Sequence, residues 1–125
     1  WNLVIVQKEG SKINAYVGKN GTDANPVKIL SSNTLATGKG LMRVLNRHWR
    51  IGNYAVPSGY ASQVNGMDEF SFWGRSLSES ERNALFNGGT GKTLNGGDFN
   101  QTGLRIYYNF EQNPYGTLVN QAIPT

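Results

Sequence analysis

Trp1, Leu3 and Ile5 alternate with Asn2, Val4 and Val6 at the start of the chain, and both sets carry apolar groups. A period of two marks a β-strand, and apolar side chains on both faces place such a strand in the middle of a sandwich. Lys8-Glu9-Gly10-Ser11 reads as a hairpin turn. Ile13, Ala15 and Val17 form the apolar side of a returning strand, with Tyr16 on its other face. Asn20-Gly21 signals a second turn, extended through residues 23–26.

Residues 27–30, 41–45 and 48–52 are short β-prone runs. Residues 53–65, rich in Gly, Ser, Tyr and Pro, read as a surface loop. Period two returns over residues 67–73, with Asp68, Phe70 and Phe72 facing one way and Met67, Glu69, Ser71 and Trp73 the other. Leu104, Ile106, Tyr108 and Phe110 predict another strand. Asn113-Pro114-Tyr115-Gly116 predicts a turn, and residues 117–120 a last short strand.

One segment has helical signals. Ser78 and Glu81 have the spacing of a capping box, in which the serine hydroxyl serves the glutamate amide and the glutamate reaches back. Ala84, Leu85 and Phe86 supply apolar contacts, and Asn87-Gly88-Gly89 supplies left-handed residues to end the helix. The prediction is a short helix near residues 79–86, which at two turns is stable only when docked.

Composition agrees with a β-rich domain: 125 residues with 16 glycines and only 16% charged residues. Fourteen aromatics give it a core. The absence of cysteine excludes disulfides, a thiolate nucleophile and cysteine-ligated zinc. The net charge of +4 is spread along the chain rather than gathered in runs, so no nucleic-acid partner is expected. No apolar stretch is long enough to span a bilayer, so no membrane insertion is expected.

Residues 66–92, GMDEFSFWGRSLSESERNALFNGGTGK, resemble a segment of the concanavalin A-like lectin/glucanase superfamily, of the laminin G-like kind. The resemblance rests on Gly66, Asp68, Glu69, the aromatics Phe70, Phe72 and Trp73, the Arg75-x-Leu77-Ser78 turn, and the helix ending in Leu85-Phe86-Asn87-Gly88-Gly89. WNLVIVQKEGSKINAYVGKNG at the start is similar to the family's Trp-led hairpin, and WRIGN to a short strand that follows it. The resemblance implies an all-β fold: one antiparallel β-sandwich, a concanavalin A-like jelly roll, spanning residues 1–125.

The family's opening pattern, Gly-Leu-x-x-Tyr-x-Phe-Glu, stands here at residues 103–111, after the helix. Three arrangements follow: the front of the sandwich lies upstream of Trp1, the strand order is permuted, or residues 103–125 begin a further segment rather than closing the domain. The abrupt start inside an alternating strand favours the first, in a processed product or part of a longer chain.

The candidate chemistry is that of binding. Retaining glycosidases need two carboxylates about 5–5.5 Å apart, whereas Asp68 and Glu69, neighbours on a strand, point to opposite faces. No enzymatic activity is therefore expected. Thr90-Gly91-Lys92-Thr93 lacks the glycine spacing of a phosphate loop and follows a helix rather than preceding one. His48 is the only histidine, which rules out a two-histidine metal site.

Tyr54, Tyr60, Asn53 and Gln63 in the long loop are candidate ligand-binding residues, being amphipathic aromatics and amides on a rim. Arg47 and Arg50, around Trp49, are candidates for an acidic glycan; the plainer reading is a solvated strand face. Asp68 is a candidate calcium ligand, or else a cap on loop amides. The resemblance implies a lectin-like, non-catalytic module that binds carbohydrate or a protein surface on an extracellular or virion-surface protein. The alternative is a structural domain of a viral capsid, decoration or fibre protein, whose partners are other subunits of the assembly.

Overall fold

A computed structural model describes residues 1–32, 66–94, 98–111 and 118–122. The strands expected at 41–45 and 48–52, the loop 53–65 and the turn at Asn113-Pro114-Tyr115-Gly116 lie outside the described residues. The described part consists mostly of strands in antiparallel sheets, with one short helix.

The first sheet has the order β1 (Asn2–Glu9), β2 (Lys12–Lys19), β3 (Val27–Ser31). β1 and β2 pair from Asn2 opposite Lys19 to Glu9 opposite Lys12. Gly10 and Ser11 remain as a two-residue hairpin loop, and the positive φ of Gly10, 57°, is what such a loop demands. The second turn is held by the Lys19 carbonyl, which accepts from the amides of Thr22 and Asp23, and by the Asp23 carboxylate, which accepts from the Lys19 amide. Tyr16 pairs with Lys28 and Ala15 with Leu30, so Ile29 is an extra residue that bulges β3.

The second sheet pairs β4 (Phe70–Trp73) with β5 (Leu104–Tyr108). Between them runs α1 (Glu79–Phe86), followed by a single 3-10 turn (Asn87–Gly89). The expected caps form: Ser78 Oγ accepts from the Glu81 amide, and the Glu81 carboxylate accepts from the Ser78 amide. Asn87 adopts the left-handed conformation that ends the helix. Arg75 grips Glu81 through two N–H···O bonds of 2.8 and 2.7 Å and donates to the Thr102 carbonyl. The start of the helix is thereby tied to the turn that enters β5.

The core gathers Leu77, Leu85, Leu94, Phe99, Leu104 and Tyr107, with Leu3, Trp73 and Ala122 packed against it. The helix also meets the first sheet. Phe86, 1% exposed, lies over Gly18 of β2. The Gln7 side chain exchanges two hydrogen bonds of 3.1 Å with the backbone of Leu77, acting as a neighbouring strand would. Arg82 lies 4.0 Å from the centre of the Tyr16 ring and donates to the Leu77 carbonyl.

Several strand expectations are corrected. Among the described residues β1 is an edge strand rather than a central one, and its Val4 and Val6 are 66% and 68% exposed. On β2 the face turned to the helix is Asn14, Tyr16 and Gly18, not Ile13, Ala15 and Val17; Ala15 is also buried, but Ile13 is exposed. That face must accept the Phe86 ring and the Glu9 carboxylate, so it needs a glycine and two hydrogen-bond donors rather than aliphatics.

On β5 the buried residues are Leu104 and Tyr107. Trp73 pairs with Leu104 and Phe72 with Ile106, leaving Arg105 as the extra residue of a bulge that breaks the simple alternation. Ile106 and Tyr108 are half-buried, with Tyr108 stacked 6.4 Å from Phe70. Finally, Leu118, Val119 and Asn120 form no strand. The Asn120 side chain takes a strand's place beside β5, accepting from the Tyr107 amide and donating to the Arg105 carbonyl, both at 2.9 Å.

Candidate functional site

A groove of about 160 Å³ opens where the start of β1, the approach to β4 and the C-terminal cap of α1 meet. Trp1, Asp68, Glu69 and Lys92 bring its chemistry; Leu3, Leu85, Phe86 and Leu94 give it an apolar floor. The volume is about five waters at ~30 Å³ each, room for one small ring rather than a long chain.

Glu69 is held by an unusual backbone. Its φ of 55° is left-handed, a conformation that costs a non-glycine residue on the order of 1 kcal/mol or more and that clusters at ligand-binding positions. This explains why β4 starts at Phe70 and not at residue 67, and it corrects a further expectation: Asp68 and Glu69 are not strand neighbours on opposite faces but precede the strand and line the same groove. Asp68 Oδ1 accepts from the Glu69 amide at 2.9 Å and steadies the turn.

The Glu69 carboxylate is oriented by two neutral donors. Oε1 accepts from Thr93 Oγ1 at 3.0 Å, and Oε2 accepts from the Tyr107 hydroxyl. Tyr107 is 1% exposed, and its oxygen accepts in turn from the Leu94 amide at 3.1 Å. Burial, together with the Glu69 carboxylate, raises the phenol above the ordinary tyrosine range, so it stays a donor. Neither donor cancels the charge on Glu69.

The opposite wall is the helix cap. Asn87 Nδ2 donates to Thr90 Oγ1 and to the Gly91 carbonyl, and the Gly91 amide donates to the Phe86 carbonyl. Lys92 is committed to Asp98 at 2.6 Å. Among the described residues, no ion pair joins Asp68 or Glu69 to a cation. Trp1 stands at the rim, 70% exposed, with its ring beside Gly66, where a β-carbon would lie 3.5 Å away.

Of the residues singled out from the sequence, Asp68 lines this groove. Its carboxylate serves a backbone amide, and among the described residues no three Asp, Glu, His or Cys side chains gather as a metal site. Tyr54, Tyr60, Asn53, Gln63, Arg47 and Arg50 lie outside the described residues. Sequence reasoning noticed Glu69 only as half of an acidic pair, and it missed Trp1, Thr93 and Tyr107 as parts of a site. The Asp-Glu pair was the available signal; the left-handed turn and the β5 bulge that unite Glu69 with Tyr107 left none.

No protein-family model, curated protein or solved structure matches this chain.

Proposed function

We propose that this chain is a non-catalytic recognition module on a concanavalin A-like, laminin G-like jelly roll, binding carbohydrate or a protein surface on an extracellular or virion-surface protein. The observation that carries the reading is the exposed Trp1 indole beside the Asp68 and Glu69 carboxylates in a groove the size of one small ring. An aromatic plane and fixed hydrogen-bond acceptors are the complement of a sugar's C–H face and hydroxyl groups. Both Glu69 oxygens are engaged by donors, which suits a fixed acceptor better than a nucleophile. The resemblance of residues 66–92 to the superfamily supports the fold, and the pairing of β5 with β4 fits a closing strand region.

A glycan array tests it. Binding that is lost in Trp1→Ala supports the groove, and binding lost instead in Tyr54→Ala or Tyr60→Ala moves recognition to the 53–65 loop. An array without hits across neutral and charged sugars rejects carbohydrate recognition.

A second reading, a structural domain of a capsid, decoration or fibre assembly, is favoured by one observation. Val4, Val17 and Val27 align across the first sheet, as do Val6, Ala15 and Leu30. Val4, Val6, Ile13, Val27 and Leu30 are each at least 40% exposed. Side by side they make an exposed apolar patch, the kind of surface that marks a protein interface. The occupant on this reading is a second copy of the chain. Light scattering would show a dimer that Val6→Lys dissociates; a monomer at all concentrations rejects it.

A further inference from the structure

We infer that Asn20 is a site of spontaneous modification, whatever the groove binds: its side-chain amide is converted to aspartate and isoaspartate through a succinimide closed by the Gly21 nitrogen.

Asparagine is a thermolabile side chain. The ring closes most readily in Asn-Gly, because a following residue without a β-carbon leaves the attacking nitrogen uncovered. Among the described residues the dipeptide occurs at Asn20-Gly21 and at Asn87-Gly88. Both asparagines are exposed, so exposure does not decide between them. Hydrogen bonding does.

The Asn87 side-chain amide donates to Thr90 Oγ1 at 2.9 Å and to the Gly91 carbonyl at 3.1 Å, and its main chain caps α1. Its Nδ2, the leaving group, is held in place. At Asn20 the main-chain amide donates to Asn2 Oδ1 at 3.3 Å, but among the described residues the side chain has no hydrogen bond. The Lys19 carbonyl closes this turn with the amides of Thr22 and Asp23 and passes over the Gly21 amide, which has no acceptor among the described residues. Nucleophile and leaving group are both free at this turn.

The step needs water alone. The Gly21 nitrogen gives up its proton and attacks Asn20 Cγ; a C–N bond forms, the Cγ–Nδ2 bond breaks, and ammonia leaves with the proton. Water then adds to either carbonyl of the succinimide and breaks one ring C–N bond, leaving aspartate or isoaspartate. Asn20 Oδ1 lies against Gly89, too close to leave room for a β-carbon, and Gly89 lines the groove. Isoaspartate lengthens the main chain by a methylene at this contact, and either product adds a negative charge beside it.

Peptide mapping by mass spectrometry tests this on the whole chain, held at mildly alkaline pH and sampled over time. Digestion in ¹⁸O water marks any conversion that arises during handling. In urea, with both dipeptides unstructured, Asn20 and Asn87 are expected to convert at similar rates. In the folded chain Asn20 is expected to outpace Asn87 about tenfold, because ring closure at Asn87 must first break two hydrogen bonds. Equal rates at the two sites in the folded chain, or faster conversion at Asn87, overturn the inference. So does an Asn20 that stays unmodified in the folded chain while the urea sample converts.

Discussion

The ring of Phe86 lies so close over Gly18 that a β-carbon on that glycine would fall 2.6 Å from Phe86 Cδ2. Gly18 sits in a strand with an ordinary negative φ, where glycine is a poor choice on conformational grounds. It is there because the C-terminal turn of α1 docks on β2 at that point. Gly18→Ala is therefore expected to destabilise the fold by about 1–3 kcal/mol, as overpacking does. Urea denaturation measures it, and Phe86→Leu in the same chain should recover part of the loss.

Glu9 and Glu81 contribute stability that acid removes. Hydrogen bonds from Tyr16 first, then from Gln7 and Asn14, lower Glu9 to about 2, and Arg75 with Ser78 lowers Glu81 to about 2. Both sit near 4.5 when unfolded, so the unfolded chain binds more protons between those values. Their contribution is present above pH 4.5 and is lost as pH falls toward 2. Urea midpoints should decline steeply across that window, and Glu9→Gln should lower stability at pH 7 while flattening the decline.

The capping box of α1 is a separable contribution. Ser78→Ala removes the acceptor for the Glu81 amide and is expected to cost about 1 kcal/mol. Thermal melting of the variant beside Ser78→Asp, which keeps an acceptor, checks that the loss belongs to the cap.

Tyr107→Phe tests whether the groove is held from beneath. It strips a donor from Glu69 and leaves the Leu94 amide without its acceptor in a buried position. A loss of about 1–3 kcal/mol in stability is expected. Affinity for a glycan returned by the array should also fall, because Glu69 loses its fixed orientation. Unchanged affinity would show that Glu69 does not depend on the tyrosine.

The helix was the most legible part of the chain, because Ser78, Glu81 and the Asn87-Gly88-Gly89 stop act locally and need no partner to be read. The hairpin at Gly10 and the turn at Asn20-Gly21 were legible for the same reason. Which face of a strand is buried was not. On β2 the alternation was visible, but the choice of Asn14, Tyr16 and Gly18 as the inner face depends on Phe86 and Glu9, far apart in sequence. On β5 the extra residue at Arg105 reset the alternation, and bulges carry no reliable sequence mark. The groove was hidden for both reasons. Its central carboxylate stands on a left-handed residue that is not glycine, and it is held by Tyr107, which falls outside the alternation of Leu104, Ile106, Tyr108 and Phe110.

The claim that matters most is that ligand contacts the groove between Trp1 and Glu69. An ¹H–¹⁵N correlation titration of the whole chain with a glycan returned by the array reads this residue by residue. The account predicts shifts concentrated at the Trp1 indole N–H and at the amides of Glu69, Thr90, Gly91 and Lys92, saturating together. A saturable set of shifts that leaves these signals unmoved, or no shifts at all, would contradict it.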